Sequence, residues 1–237
     1  MSEHALAEAG KRDLTVGGGV EGVDGVGDEA LRLGRIQLFQ EKNKIMKGLQ
    51  ARGIQAVPGM LHNTADEDVP LKALTFVPAY LTKFWDLFEE QTIPNVKQKW
   101  LGRYFKADAP ELEGKTTRPQ KVAGGSLKAE VQEVLSLVAV NEDDGLPVGI
   151  NFKGTSYNAG QDLYTMARKA GGALWTRAYE LSSVLRGKDG NEYYILKVVG
   201  AGEADPEIAT KAESIYRSIS KNRGAVLSDD EAGSAQE

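Results

Sequence analysis

The chain contains no cysteine. That excludes disulfides, thiolate metal sites and a cysteine nucleophile. Histidine is nearly absent as well, with His4 and His62 the whole supply. One falls in a predicted tail and the other in a predicted loop. They make no histidine-based zinc site, and neither position gives a general base an orienting partner. No apolar run approaches the roughly 18 residues that span a bilayer. The opening MSEHALAEAGKRDL lacks the basic start and apolar stretch of a secretory signal. These absences suit a cytoplasmic protein.

Catalytic constellations are missing too. Asp66, Glu67 and Asp68 are adjacent but lack the spacing and glycine of a calcium loop. Asp143 and Asp144 sit in a turn, which favours aspartate for backbone reasons. Gly17, Gly19 and Gly22 match a dinucleotide fingerprint, but no adequate strand precedes them and no helix follows. Gly114, Lys115 and Thr116 imitate a phosphate loop, yet Ala109 stands where its first glycine belongs. No nucleophile, base and orienting group can be drawn together. The expectation is a binding protein with no catalytic residue, no metal and no cofactor.

What the chain does have is a division of charge. Its 237 residues carry a net −5. Residues 1–34 hold seven acids against three bases, and 203–237 hold eight against four, so each end is −4. The stretch 35–202 is therefore +3, and within it 94–128 is +5. An acidic chain with a locally cationic segment suits a restricted anion-binding surface.

Patterning divides the chain further. Residues 13–28 are rich in Gly, Val and Asp, and 1–34 read as a flexible arm. Residues 35–55 read as a broken helix or an arm packed on the core. LKALTFVPAYLTKFWDLF (71–88) reads as a long strand, with an edge or bulge at Pro78. KQKWLGRYF (97–105) alternates and reads as a second strand, followed by a long loop over 106–126. Residues 131–152 read as a third strand region, either one strand or a hairpin about NEDDG. YNAGQDLYTMARKAGG supplies a helix over 157–171, with Leu163, Met166, Ala167 and Ala170 on one stripe and Gly171 and Gly172 as its stop. Two strands follow, 173–186 and 192–200, joined through the Asp-Gly pair of GKDGN. A helix over 205–222 opens with Asp205 as cap and Pro206 in its first turn. Residues 223–237 read as an acidic, flexible tail.

The domain is thus expected over 35–204 as mainly β with helices (α+β). The order βββαββ is that of a five-stranded OB-like barrel, a fold that takes oligonucleotides or oligosaccharides on its sheet face. Its candidate site is the second strand. Alternation places Lys97, Lys99, Arg103 and Phe105 on one face and Trp100 and Tyr104 on the other, with Lys106 adjacent. Cations that track phosphates beside rings that stack on bases make a single-strand groove. Lys153, Tyr157 and Arg177 flank it. A plainer reading stays open, in which the rings are barrel core and the lysines only solvate the outside.

The run FKGTSYNAGQDLYTMARKAGG (152–172), then WTRAYELSSV and GNEYYILKVVGAG, resembles bacteriophage-encoded single-stranded DNA-binding proteins of OB-fold type. The resemblance covers about 71–202. It implies single-stranded DNA as partner, a role in replication or recombination, and residence in the host cytoplasm. It also implies an acidic terminus, here Asp229, Asp230 and Glu231, that recruits replication or recombination proteins. The usual hydrophobic tip is missing, since the chain ends Ala-Gln-Glu. The alternatives are a virion structural or accessory protein and an inhibitor that binds a host enzyme through acidic mimicry.

Overall fold

The computed structural model describes residues 33–94, 96–187 and 192–221. The N-terminal arm, the Asp-Gly turn near 189, the acidic tail and the glycines at 17–22 lie outside these residues. Among the described residues eleven strands and three α-helices follow one another: β1 (Gly34–Leu38), α1 (Lys44–Ala51), β2 (Leu61–Asn63), β3 (Asp66–Leu71), β4 (Leu74–Phe88), β5 (Trp100–Tyr104), β6 (Gln120–Val122), β7 (Gly125–Leu127), β8 (Val131–Asn141), β9 (Pro147–Lys153), α2 (Tyr157–Ala170), β10 (Arg177–Arg186), β11 (Tyr193–Glu203) and α3 (Pro206–Lys221). The chain is mainly β, with a curled half-barrel sheet and a few helices. Among the described residues no helix is long and apolar enough to cross a membrane.

Strand β4 is the trunk. One edge pairs with β8 from Phe76↔Asn141 to Leu87↔Val131. The other edge takes β10 at Leu74–Phe76 and β5 at Trp85–Phe88. The register shifts between Pro78 and Tyr80, so the proline sits at a bulge as its missing N–H requires. The main sheet runs β11-β10-β4-β8-β9-β1-β2-β3, with β5 added on β4. Five strands were expected and nine are present. The third region divides into the hairpin β8–β9, and β1, β2 and β3 extend the sheet. The last three escape pattern reading because they are short or rich in Asp, Glu and Pro, which strands disfavour.

Each face of the sheet is covered by one helix. On one side α2 brings Ala159 and Leu163 to Phe76, Leu137, Ile150 and Phe152, with Met166 and Ala167 packed alongside. Ala170 is exposed and leaves that stripe. Gly171 ends the helix at φ 70, a conformation that favours glycine. On the other side α3 packs Ile208 and Ala212 on Val77, Ala79, Val140 and Ala178. The Asp205 carboxylate caps it, accepting from the N–H of Glu207 at 2.8 Å and of Ile208 at 3.3 Å.

Side chains bridge the opening of the half-barrel. The Gln40 amide donates to the Tyr194 carbonyl at 2.7 Å and accepts the Tyr194 N–H at 3.1 Å. The Ser156 hydroxyl oxygen accepts the Leu196 N–H at 3.0 Å. These bonds satisfy the outer edge of β11 in place of a strand ladder.

The predicted loop 106–126 is more ordered than its composition suggests. It holds a single 3-10 turn at Pro110–Leu112 and the small hairpin β6–β7. Buried Glu130 fastens it: one carboxylate oxygen accepts from the N–H and hydroxyl of Thr116 at 3.0 and 3.1 Å, and the other meets Lys115 Nζ at 3.0 Å. The lysine and threonine of the apparent phosphate loop are thus held by a carboxylate of the chain itself. The Thr116 backbone bond lowers the Glu130 pKa from the ordinary 4.5; burial opposes it, and Lys115 and the Thr116 hydroxyl reinforce it. A depressed folded pKa contributes stability above the unfolded value and loses it as pH falls through the folded one. Glu130→Gln therefore costs about 1.5–3 kcal/mol at neutral pH. Urea titrations at several pH values should show that difference shrinking once pH drops below the ordinary 4.5.

Candidate nucleic-acid interface

Strand β5 does not keep the simple alternation. Lys97 and Lys99 are exposed on the coil that leads into it. The register passes from Leu87↔Gly102 to Phe88↔Trp100, so Leu101 is an extra, bulged residue. The bulge brings Trp100 to the side of Arg103, which corrects the expected division of faces. Both reach buried Asp86: Arg103 Nε donates to Oδ1 at 2.9 Å, and Trp100 Nε1 approaches the same oxygen at 3.4 Å. The Arg103 guanidinium also lies 3.7 Å from the Phe84 ring centroid. Its expected place on a free cationic face is corrected as well, because the strand-opposite carboxylate and a ring hold it. Phe105 is exposed and meets Phe84 edge-on, with centroids 6.2 Å apart. Lys106 follows, exposed.

The loop before β5 is stapled to the start of β8. Gln91 donates to the Val96 carbonyl at 2.8 Å and accepts the Lys128 N–H at 2.6 Å. Gln98 donates to the carbonyls of Glu89 and Ala129, each at 3.1 Å. These two amides, which carry no charge signal in the sequence, tie the backbone of exposed Lys128 and of Ala129 to the loop that carries exposed Lys97 and Lys99.

The opposite face of β4–β5 carries a second cluster. Trp85 and Tyr104 are cross-strand partners, and Tyr104 lies over Gly102, where a Cβ would come 3.3 Å from its hydroxyl. Glu133 on β8 accepts from Trp85 Nε1 at 3.2 Å and pairs with Lys83 Nζ at 3.2 Å. Lys83 also stands 4.8 Å from the centroid of the Trp85 ring. The Tyr157 phenol, at the start of α2, stands close enough to Glu133 and Lys83 to feel both charges. Burial pulls the Lys83 pKa down, but the bond to Glu133 and its charge, with Tyr157, carry it above the ordinary lysine value. Burial pushes Glu133 up, and Tyr157, Lys83 and Trp85 together outweigh it and lower the carboxyl. Burial and then Glu133 raise the Tyr157 phenol against the pull of Lys83. Sequence reading named Tyr157 and missed Lys83, Trp85 and Glu133. Alternation along 71–88 already put Lys83 and Trp85 on one face.

Two expected members do not join. Arg177 opens β10, whose Tyr179 pairs with Phe76. From there to Trp85 is roughly 30 Å of strand at the usual rise. Arg177 therefore belongs to the end where α3 packs, beside Tyr179, whose phenol is raised by burial and pulled the other way by Arg177. Lys153 is exposed and pairs with Val134, which in turn pairs with Phe84, so it lies in the row of Phe84 and Phe105 and not in that of Tyr157. Asp229, Asp230 and Glu231 lie outside the described residues. Among the described residues no group of three or more His, Asp or Glu could hold a metal ion.

The structure defines a mainly β, α+β protein whose half-barrel gathers lysines and rings at one end of its longest strand. Over residues 3–225 the chain matches the family model of the Pam3 phage gp34-like protein, and it belongs to that family of phage proteins. No curated protein and no solved structure matches it.

Proposed function

We propose that this chain is a non-enzymatic single-stranded DNA-binding protein, which protects or organises DNA during phage replication or recombination in the host cytoplasm. The observation that carries the reading is the end of β4. Exposed Lys97, Lys99, Lys106 and Lys128 stand there, with exposed Phe105 and half-buried Trp100 on one face of β4–β5 and half-buried Trp85 and Tyr104 on the other. Rings on a cationic surface bind single strands with little regard to sequence. In this reading β4, β5, the β8–β9 hairpin, β10 and β11 stand for the five strand regions of an OB-like barrel, with the third region split in two and the sheet enlarged by β1–β3. The acidic terminus with Asp229, Asp230 and Glu231 is the contact for replication partners, and no cofactor is needed.

Fluorescence anisotropy with labelled oligothymidine tests it. Neutralising about three to five phosphates makes log K fall against log salt with a slope of about −2 to −3.5. No salt-sensitive binding at micromolar protein overturns the proposal.

One observation favours a second reading, a virion structural or accessory protein. Ile93, Val96, Leu101 and Phe105 are all exposed around β5, an apolar rim suited to a protein contact. Stoichiometric amounts in purified particles, with no affinity for oligothymidine, would select it.

A further inference from the structure

Three carboxylates hold cations at the far end of β4, and they differ in how firmly they are held. The side chains of Asp86 and Glu130 are 9 % and 8 % exposed. They are locked into the packing. Glu133 is 46 % exposed, and its partner Lys83 is 39 % exposed. An ion pair so open to water contributes little and exchanges readily. Yet Glu133 of β8 gathers groups from two other elements: Lys83 Nζ and Trp85 Nε1 of β4, each at 3.2 Å, and the nearby Tyr157 phenol at the start of α2. A cation, an indole N–H and a phenol aimed at one small anion are the donors a backbone phosphate would take.

We infer that Glu133 is a built-in anion occupying a phosphate position, and that Lys83, Trp85 and Tyr157 form a subsite for one DNA phosphate and its base. The inference rests on the single-strand reading and deepens it. The strand runs on the α2 side of β4–β5, where Trp85 and its cross-strand partner Tyr104 offer their rings. Trp100 and Arg103, bound to Asp86 on the other side, stay structural. Glu133 then sets affinity, because each binding event must displace it from Lys83. The lowered carboxyl of Glu133 and raised ammonium of Lys83 agree with charges already engaged with each other.

Glu133→Gln keeps the shape and removes the charge. Exposed Glu89→Gln, at the end of β4, controls for the simple loss of an acid near a basic surface. Oligothymidine affinity should rise roughly three- to ten-fold in Glu133→Gln and less than two-fold in Glu89→Gln. The gain should vanish when Lys83→Met is added. Binding should quench tryptophan fluorescence in the wild type and in Trp100→Phe, and much less in Trp85→Phe. Unfolding midpoints confirm that each variant is folded. If the wild type binds but Glu133→Gln gains no more than Glu89→Gln, the placeholder is overturned and the DNA reading stands. If the gain survives Lys83→Met, the subsite is overturned in the same way. If the wild type binds no oligothymidine, both fall together.

Discussion

Replacing Phe152 with alanine lowers folding stability by about 3–5 kcal/mol, and the melting temperature by roughly 10 °C for a chain of this size. Phe152 is fully buried in the core between the sheet and α2. The helix lies so close to it that a Cβ built on Gly160 would fall 2.9 Å from three Phe152 carbons, its Cβ among them. That atom belongs to the root of the side chain and cannot swing away. The contact predicts that substitutions at the two positions are coupled. Gly160→Ala in the wild type improves helix propensity by about 1 kcal/mol, but overpacking costs about 1–3 kcal/mol, so the net effect is destabilising. In the Phe152→Ala background two of the three contacts, those to Cγ and Cδ2, are gone while the one to Cβ stays, so the same substitution costs less than in the wild type. Guanidinium unfolding of the four proteins gives the cycle; a coupling well below about 1 kcal/mol would mean that α2 does not rest on this ring.

The contrast between what could and could not be read in the chain follows from the range of each signal. Pro78, Gly171 and the Asp205–Pro206 pair act on their own backbone, and each produces the bulge, stop or cap expected of it. The hairpin of 131–152 and the strands at 74–88 and 193–203 follow from runs of apolar residues that need no partner to be recognised. Strand β1 is different. It joins the sheet because Ile36 finds Ile150 on β9 in parallel and Asn63 on β2, both far along the chain. The site shows the same limit. Alternation could not show that Leu101 bulges, since the bulge is a relation between β5 and β4. A one-residue shift turns side chains to the other face, and that shift took Trp100 from the side of Tyr104 to the side of Arg103. The charge of Arg103 was visible, but its partner Asp86 becomes its neighbour only through antiparallel pairing. Lys83 and Trp85 were legible as a pair, whereas the carboxylate that gathers them comes from β8.

The fate of Arg103 can be measured directly. Asp86→Ala should cost about 3–5 kcal/mol, because it leaves a half-buried guanidinium without its carboxylate. The Arg103 and Asp86 side chains are only 17 % and 9 % exposed. The guanidinium sits on Phe84, itself buried, so it cannot move into water without uncovering that ring. Asp86→Asn, which keeps an acceptor, should lose less. Arg103→Lys should also destabilise, since a lysine gives up both the forked contact and the flat stacking on Phe84. Arg103→Met in the Asp86→Ala background should recover much of the loss, because a flexible apolar chain can cover Phe84 with no charge left to satisfy. Denaturant midpoints with constant slope would report these differences. A free DNA-binding cation would behave otherwise: its removal would leave stability alone and weaken oligothymidine binding. If Asp86→Ala unfolds like the wild type while Arg103→Met loses affinity, Arg103 returns to the binding surface, and the strand must cross β5 on the side of Trp100.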